Sequence, residues 1–228
     1  MRPLRQHLRI SLTTSAFLIT SFVLFLLVGL SLTIIKPIYI FELKFERQPG
    51  QPVTSVANIL RFGVWGVCAM SELNTRRCFG PQIGYTIPDE ILVLTGFPEL
   101  VEGLADGVTA LLVLHLVSAG FAFIGAFTSL FLESRAMCIT SLIITVLNII
   151  IALIVFAADL ALAIIGRQRV GPLTDFNYTA NWGPAVWMVL AAVILSFVGM
   201  VLMSVVVCGC CGVGRKHRHH HRHEERKA

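Results

Sequence analysis

The sequence predicts a mainly α membrane protein: a left-handed bundle of four transmembrane helices carrying a small extracellular antiparallel β-sheet. Three observations predict it. Of the 228 residues, 56% are hydrophobic and only 14% are charged, against about 25% charged in an average soluble domain; the mean hydropathy is +0.80. Four intervals, Ile10 to Ile35, Val108 to Leu132, Ala136 to Ile165 and Val186 to Cys211, lack Asp, Glu, Lys and Arg apart from Asp159. Each exceeds the ~20 residues that a helix needs to cross ~30 Å of hydrocarbon. Finally, the long polar interval after the first span contains short aromatic and β-branched runs punctuated by Gly and Pro, the pattern of strands and turns.

In chain order, residues 1–9, "MRPLRQHLR", are a basic N-terminus ahead of the first span, 10–35. A secretory signal peptide competes for this segment, but its apolar run is far longer than an h-region of ~7 to 15 residues and no clean small-x-small site follows, so a retained helix is expected. Residues 36–107 form the first outer loop. There "KPIYIFELKF" alternates polar and apolar side chains, and "ILRFGVWGVCAM" and "CFGPQIGYTI" are two further strand candidates. "GFPELVEGLADGV" is a helix start, with Pro98 in the first turn and Glu99 near the positive end of the dipole, so this helix begins above the membrane and runs into the second span, 108–132. A cytosolic turn, 133–136, leads to the third span, 137–165. The second outer loop, 166–185, leads to the fourth span, 186–211, and a basic His-rich tail, 212–228.

Charge sets the orientation. The two ends carry nine basic and two acidic residues, and the first outer loop six basic and eight acidic. By the positive-inside rule both termini are cytosolic, with Arg167 and Arg169 the one dissent. The net charge of +5 is thus a topology signal, and no nucleic-acid partner is expected.

That orientation puts Cys68 and Cys78 on the oxidising side, where a disulfide persists. Closing so short a loop contributes about 3 kcal/mol in the chain-entropy model. On a strand Trp65 points away from Cys68, leaving the disulfide on one face and the indole at the membrane interface. The alternative is two free buried thiols and a core Trp.

"GVWGVC", with Gly63, Val64 and Trp65, followed by nine residues and a second Cys, resembles the Gly-Leu-Trp-x-x-Cys…Cys signature of the claudin-like tetraspan superfamily, with Val64 in the place of Leu. "LLVLHLVSAG", "LIVFAADLALAIIGRQRV" and "NWGPAVWMVLAAVILSFVGMVLM" resemble the fungal PalI family and its eisosome-associated relatives. The resemblance covers about residues 10 to 212 and departs at the short tail. It implies a plasma-membrane protein that assists a seven-span sensor of ambient pH. The runner-up is a scaffold of cortical membrane domains that self-associates as a homo-oligomer, with Gly120 and Gly125 supporting lateral packing. Claudin-like adhesion is a third, weaker reading.

His115 and Asp159 are the most unusual residues within the spans. At 1.5 Å per residue they lie ~12 Å and ~9 Å below the outer surface on antiparallel neighbours, so the two can meet. A proton-responsive switch is one reading and a structural interhelical hydrogen bond the other, with Asn148 or Ser118 taking part elsewhere in the bundle. Asn177 opens an Asn-Tyr-Thr sequon, a possible N-glycosylation site. Cys208, Cys210 and Cys211 end the fourth span beside basic residues, the setting for S-palmitoylation. Zinc binding by these cysteines and the His cluster is the rival, but the spacing fits no common finger, and no metal is expected. The six Lys and Arg of the tail favour anionic lipids of the inner leaflet. Neither a catalytic triad nor a phosphate loop is visible, so the expectation is a protein without enzymatic activity and without a cofactor.

Overall fold

The computed structural model describes residues 2–31, 35, 37–45, 57–71, 76–79, 98–131, 135–173 and 178–210. Four helices, α1 (Arg2–Gly29), α2 (Pro98–Thr128), α3 (Arg135–Leu173) and α4 (Pro184–Cys210), pack in a ring: α1 against α2 and α4, and α3 against the same two. Five strands, β1 (Phe41–Phe45), β2 (Ala57–Gly63), β3 (Gly66–Ser71), β4 (Arg76–Phe79) and β5 (Tyr178–Trp182), form one sheet in the order β4-β3-β2-β1-β5. All four pairings are antiparallel. The fold is a claudin-like tetraspan.

The helices bury polar groups and expose apolar ones, the reverse of a soluble bundle. Ser15, Ser21, His115, Ser118, Ser141, Thr145, Asn148, Asp159 and Ser196 are buried, while Val113, Phe123, Phe127, Ile143, Ile154, Trp187, Phe197 and Val205 are exposed. In hydrocarbon this arrangement is the stable one, because an apolar surface costs nothing against lipid and a polar group needs a partner. Among the described residues three helical segments are long and apolar enough to span: Arg9–Gly29, Ala136–Ile165 and Pro184–Cys208, with a shorter apolar stretch, Val113–Thr128, in α2.

The sheet rests on one end of this bundle. Phe41 and Leu43 of β1, Leu60 and Phe62 of β2 and Val67 of β3 join a single buried core with Phe25 and Val28 of α1 and Val186 and Val189 of α4. The register explains it: Phe41 lies opposite Phe62, Leu43 opposite Leu60 and Phe62 opposite Val67, so period-two alternation puts all five on one face. The Phe41 and Phe62 rings stack at 4.5 Å. The opposite face carries Glu42 and Arg61.

Several expected boundaries move. The helix of the first span stops at Gly29, short of the expected residue 35; Ser31 N–H bonds back to Val28 at 3.0 Å, and the Ser31 hydroxyl is diverted to the sheet. The segment "ILRFGVWGVCAM", expected as one strand, is a hairpin. Gly63 pairs with Gly66 around a two-residue turn, Val64-Trp65, the loop length that best matches strand twist. Trp65 therefore sits in the turn and not opposite Cys68 along a strand. Of "CFGPQIGYTI" only Cys78 and Phe79 are described, as the end of β4. As expected, α2 begins at Pro98. α3 runs beyond the expected 165 to Leu173. β5, inside the expected second outer loop, is an unanticipated strand.

β5 and α4 meet at Gly183, whose N–H donates to Ile40 at 2.8 Å, and Ala185 N–H in the first turn of α4 donates to Tyr39 at 3.2 Å. A Cβ on Gly183 would lie 2.0 Å from the Tyr39 carbonyl oxygen. Backbone cannot yield as a side-chain tip does. Gly183→Ala is expected to cost about 1–3 kcal/mol, the usual range for overpacking, seen as a lower unfolding midpoint in detergent; an unchanged midpoint would show that β1 and α4 are not joined this closely.

Candidate functional site

The residues singled out in the sequence fall into two groups at the sheet end of the bundle: a joint between sheet and helices, and a polar pair beneath it.

The joint is the hairpin turn. Val64 N–H donates to the Ser31 hydroxyl at 3.1 Å, and the Trp65 indole N–H donates to the Gly29 carbonyl. A helix C-terminus leaves its last carbonyls without intrahelical donors, so the indole satisfies an orphan acceptor at the end of α1. Val64 is buried, which accounts for an apolar residue in a turn. Next to it, Cys68 and Cys78 face each other across β3 and β4 and are joined as a disulfide. Cys68 lies opposite Arg61, so the bridge is on the face turned away from the bundle. That face is polar: Arg61 Nε pairs with Glu42 Oε2 at 2.7 Å, and its guanidinium lies 4.7 Å from the centre of the Tyr39 ring.

The polar pair lies below. His115 on α2 and Asp159 on α3 are both buried, with His115 Nε2 3.2 Å from Asp159 Oδ2. The distance is that of an ion pair, but neither atom makes a hydrogen bond, and Asp159 Oδ1 and the Ser118 hydroxyl also have no hydrogen-bond partner. On its other side the ring is fixed: His115 Nδ1 donates to the Leu111 carbonyl at 2.7 Å. Phe25 meets the ring edge-on at 6.4 Å between centres. A Cβ on Gly29 would sit 3.7 Å from the His115 Cβ, so the residue that accepts the Trp65 bond also packs on His115.

Deeper in the bundle a second network ties three helices. Asn148 Nδ2 on α3 donates to Ser196 Oγ on α4 at 3.2 Å, Ser196 lies 2.8 Å from Ser21 of α1, and Ser21 donates to the Ala192 carbonyl at 2.9 Å. At the far end Ser11 of α1 donates to the carbonyl of Ser129, just past the end of α2, and Ser15 donates to the Ala126 carbonyl of α2. Sequence reasoning named Asn148 but missed Ser11, Ser15, Ser21 and Ser196; the i, i+4 and i+10 spacing of the three on α1 was the available signal.

Other expectations divide. Gly120 is open, with nothing within 4 Å of an added Cβ, but Gly125 packs inside the bundle against Leu18 and Thr145 and so cannot support lateral contact. Cys208 is exposed near the end of α4, and Cys210 is its last residue. Asn177, Cys211 and the tail from 212 lie outside the described residues. No group of three or more His, Cys, Asp or Glu able to hold a metal occurs among the described residues.

A family model described as SUR7/PalI matches residues 10–199. The chain belongs to the SUR7/PalI family. Among curated proteins none matches. The match takes in α2, α3, the hairpin and the disulfide whole and the greater part of α1 and α4, so the joint and the polar pair both lie within the part that defines this SUR7/PalI protein.

His115 and Asp159 are separable from the fold by a mutant cycle. His115→Leu is expected to destabilise by about 3–5 kcal/mol, because it leaves a buried carboxylate alone, whereas the double replacement His115→Leu with Asp159→Leu recovers most of the loss. Reversible unfolding in mixed micelles measures both; additive losses would mean that the two side chains do not interact.

Proposed function

We propose that this SUR7/PalI protein is a non-catalytic plasma-membrane tetraspan that assists another multispan membrane protein, namely a seven-span sensor of the ambient alkaline-pH pathway in a fungal cell. The observation that carries the reading is the family match over residues 10–199. What the geometry adds is a lobe held against the bundle, in which β4 and β5 are the edge strands among the described residues, the kind of edge that a partner strand can extend.

The sheet lobe faces outward and both termini face the cytosol in this reading. The disulfide between Cys68 and Cys78 belongs on an oxidising side, and the basic ends belong inside. Trp182 and Trp187, both exposed with ring centres 6.3 Å apart, suit the membrane interface at the same level. Exposed Cys208 is then an acceptor for a palmitoyl group, next to a basic tail that lies on anionic lipid.

One observation favours a second reading, a scaffold of cortical membrane domains. Gly120 leaves an open notch on the lipid-facing side of α2 between exposed Leu116 and Phe123, a place where a second copy can approach. Deletion in the source cell decides between them. Loss of the alkaline-response reporter, together with co-purification of a seven-span protein, is expected; a normal reporter with immobile cortical patches would reject the accessory role in favour of the scaffold.

A further inference from the structure

We infer that His115 and Asp159 together form a binding site for one proton in the dry core at the sheet end of the bundle. This goes beyond the accessory reading and does not depend on it.

His115 Nδ1 is 2.7 Å from the Leu111 carbonyl oxygen. A carbonyl only accepts, so Nδ1 carries a hydrogen. A neutral imidazole has one N–H, and with that hydrogen on Nδ1 the lone pair is on Nε2. Nε2 is 3.2 Å from Asp159 Oδ2. If the carboxylate is ionised and the ring neutral, two lone pairs face each other, and a whole negative charge is buried without a hydrogen bond, since both Asp159 oxygens are free of partners. One added proton removes both costs. On Nε2 it makes an imidazolium beside a carboxylate; on Oδ2 it makes an acid that faces the Nε2 lone pair. The two forms share the same proton, so it belongs to the pair and not to either residue.

Among the described residues no other charge is set beside the pair. α1 from Ile10 to Gly29 and α4 from Pro184 to Val207 contain no Asp, Glu, Lys, Arg, His or Tyr, and α1 presents Phe25 and Gly29 to the ring. On α2 the nearest other ionisable residue in sequence is Asp106, ~13 Å along the axis at 1.5 Å per residue, and on α3 it is Arg167, ~12 Å from Asp159 and exposed. In the sheet Arg61 is held by Glu42 and lies over Tyr39. A proton shared by the facing atoms of the pair supplies the compensation.

The test counts protons on the ring in the full-length protein. Replacing His7, His217, His219, His220, His221 and His223 by Asn leaves His115 as the sole histidine. Nitrogen NMR of this protein in lipid nanodiscs near neutral pH reports whether each ring nitrogen is protonated, and infrared difference against Asp159→Asn reports the carboxyl. The expected result is a hydrogen on Nδ1 together with a second one, on Nε2 or on Asp159. A neutral ring with its one hydrogen on Nε2, or an Nδ1–H ring beside an ionised Asp159, would overturn the proposal.

Discussion

The structure depends on a two-residue turn clamped to the end of a helix. Val64 and Trp65 give the β2–β3 hairpin its tip, and that tip bonds to Ser31 and Gly29 at the point where α1 stops. Each bond alone contributes only about 1 kcal/mol. Their importance is positional: they fix the hairpin by its most local feature to the helix that contacts both α2 and α4, and the remaining strands are then placed by register. Phe62 follows the turn onto Phe41, Phe41 pairs with Trp182 of β5, and β5 leads through Gly183 into α4. The first and last helices are thus linked twice, once through lipid-embedded packing and once through the sheet.

Beneath that joint the bundle holds polar groups where hydrocarbon penalises any that lack a partner. Serines resolve this cheaply. Ser15 and Ser21 each donate to a carbonyl of a neighbouring helix and Ser11 to one just past the end of α2, and small side chains let backbones approach closely. His115 and Asp159 are a different case, since burial there has to be offset by charge as well as by hydrogen bonds. Their position directly under Gly29 puts a buried titratable pair next to the contact that seats the sheet.

How much of this is legible in the sequence follows from which forces are local. The four spans are, because long runs without charge have no stable alternative to a helix in lipid. The disulfide was legible from Cys68 and Cys78 with the charge asymmetry, and the meeting of His115 with Asp159 followed from helix rise in antiparallel neighbours. The hairpin was not read as one. "ILRFGVWGVCAM" lacks the Asn-Gly or Asp-Gly pair that marks a tight turn, and its turn residues are apolar because they are buried against a helix remote in sequence. β5 was hidden for the same reason: Tyr178–Trp182 becomes a strand by pairing with β1, an edge supplied from far away in the chain. Gly125 was misplaced because a glycine shows which helix face it is on only when the neighbours are known.

Hydrogen exchange of the Val64 amide and the Trp65 indole N–H, followed by NMR on the protein in lipid nanodiscs, tests the seating of the hairpin most directly. Both protons are expected to exchange as slowly as the amides in the middle of β2 and β3. Exchange of both at the rate of solvent-exposed groups would contradict it, and would mean that the sheet is tethered to the bundle only by the chain.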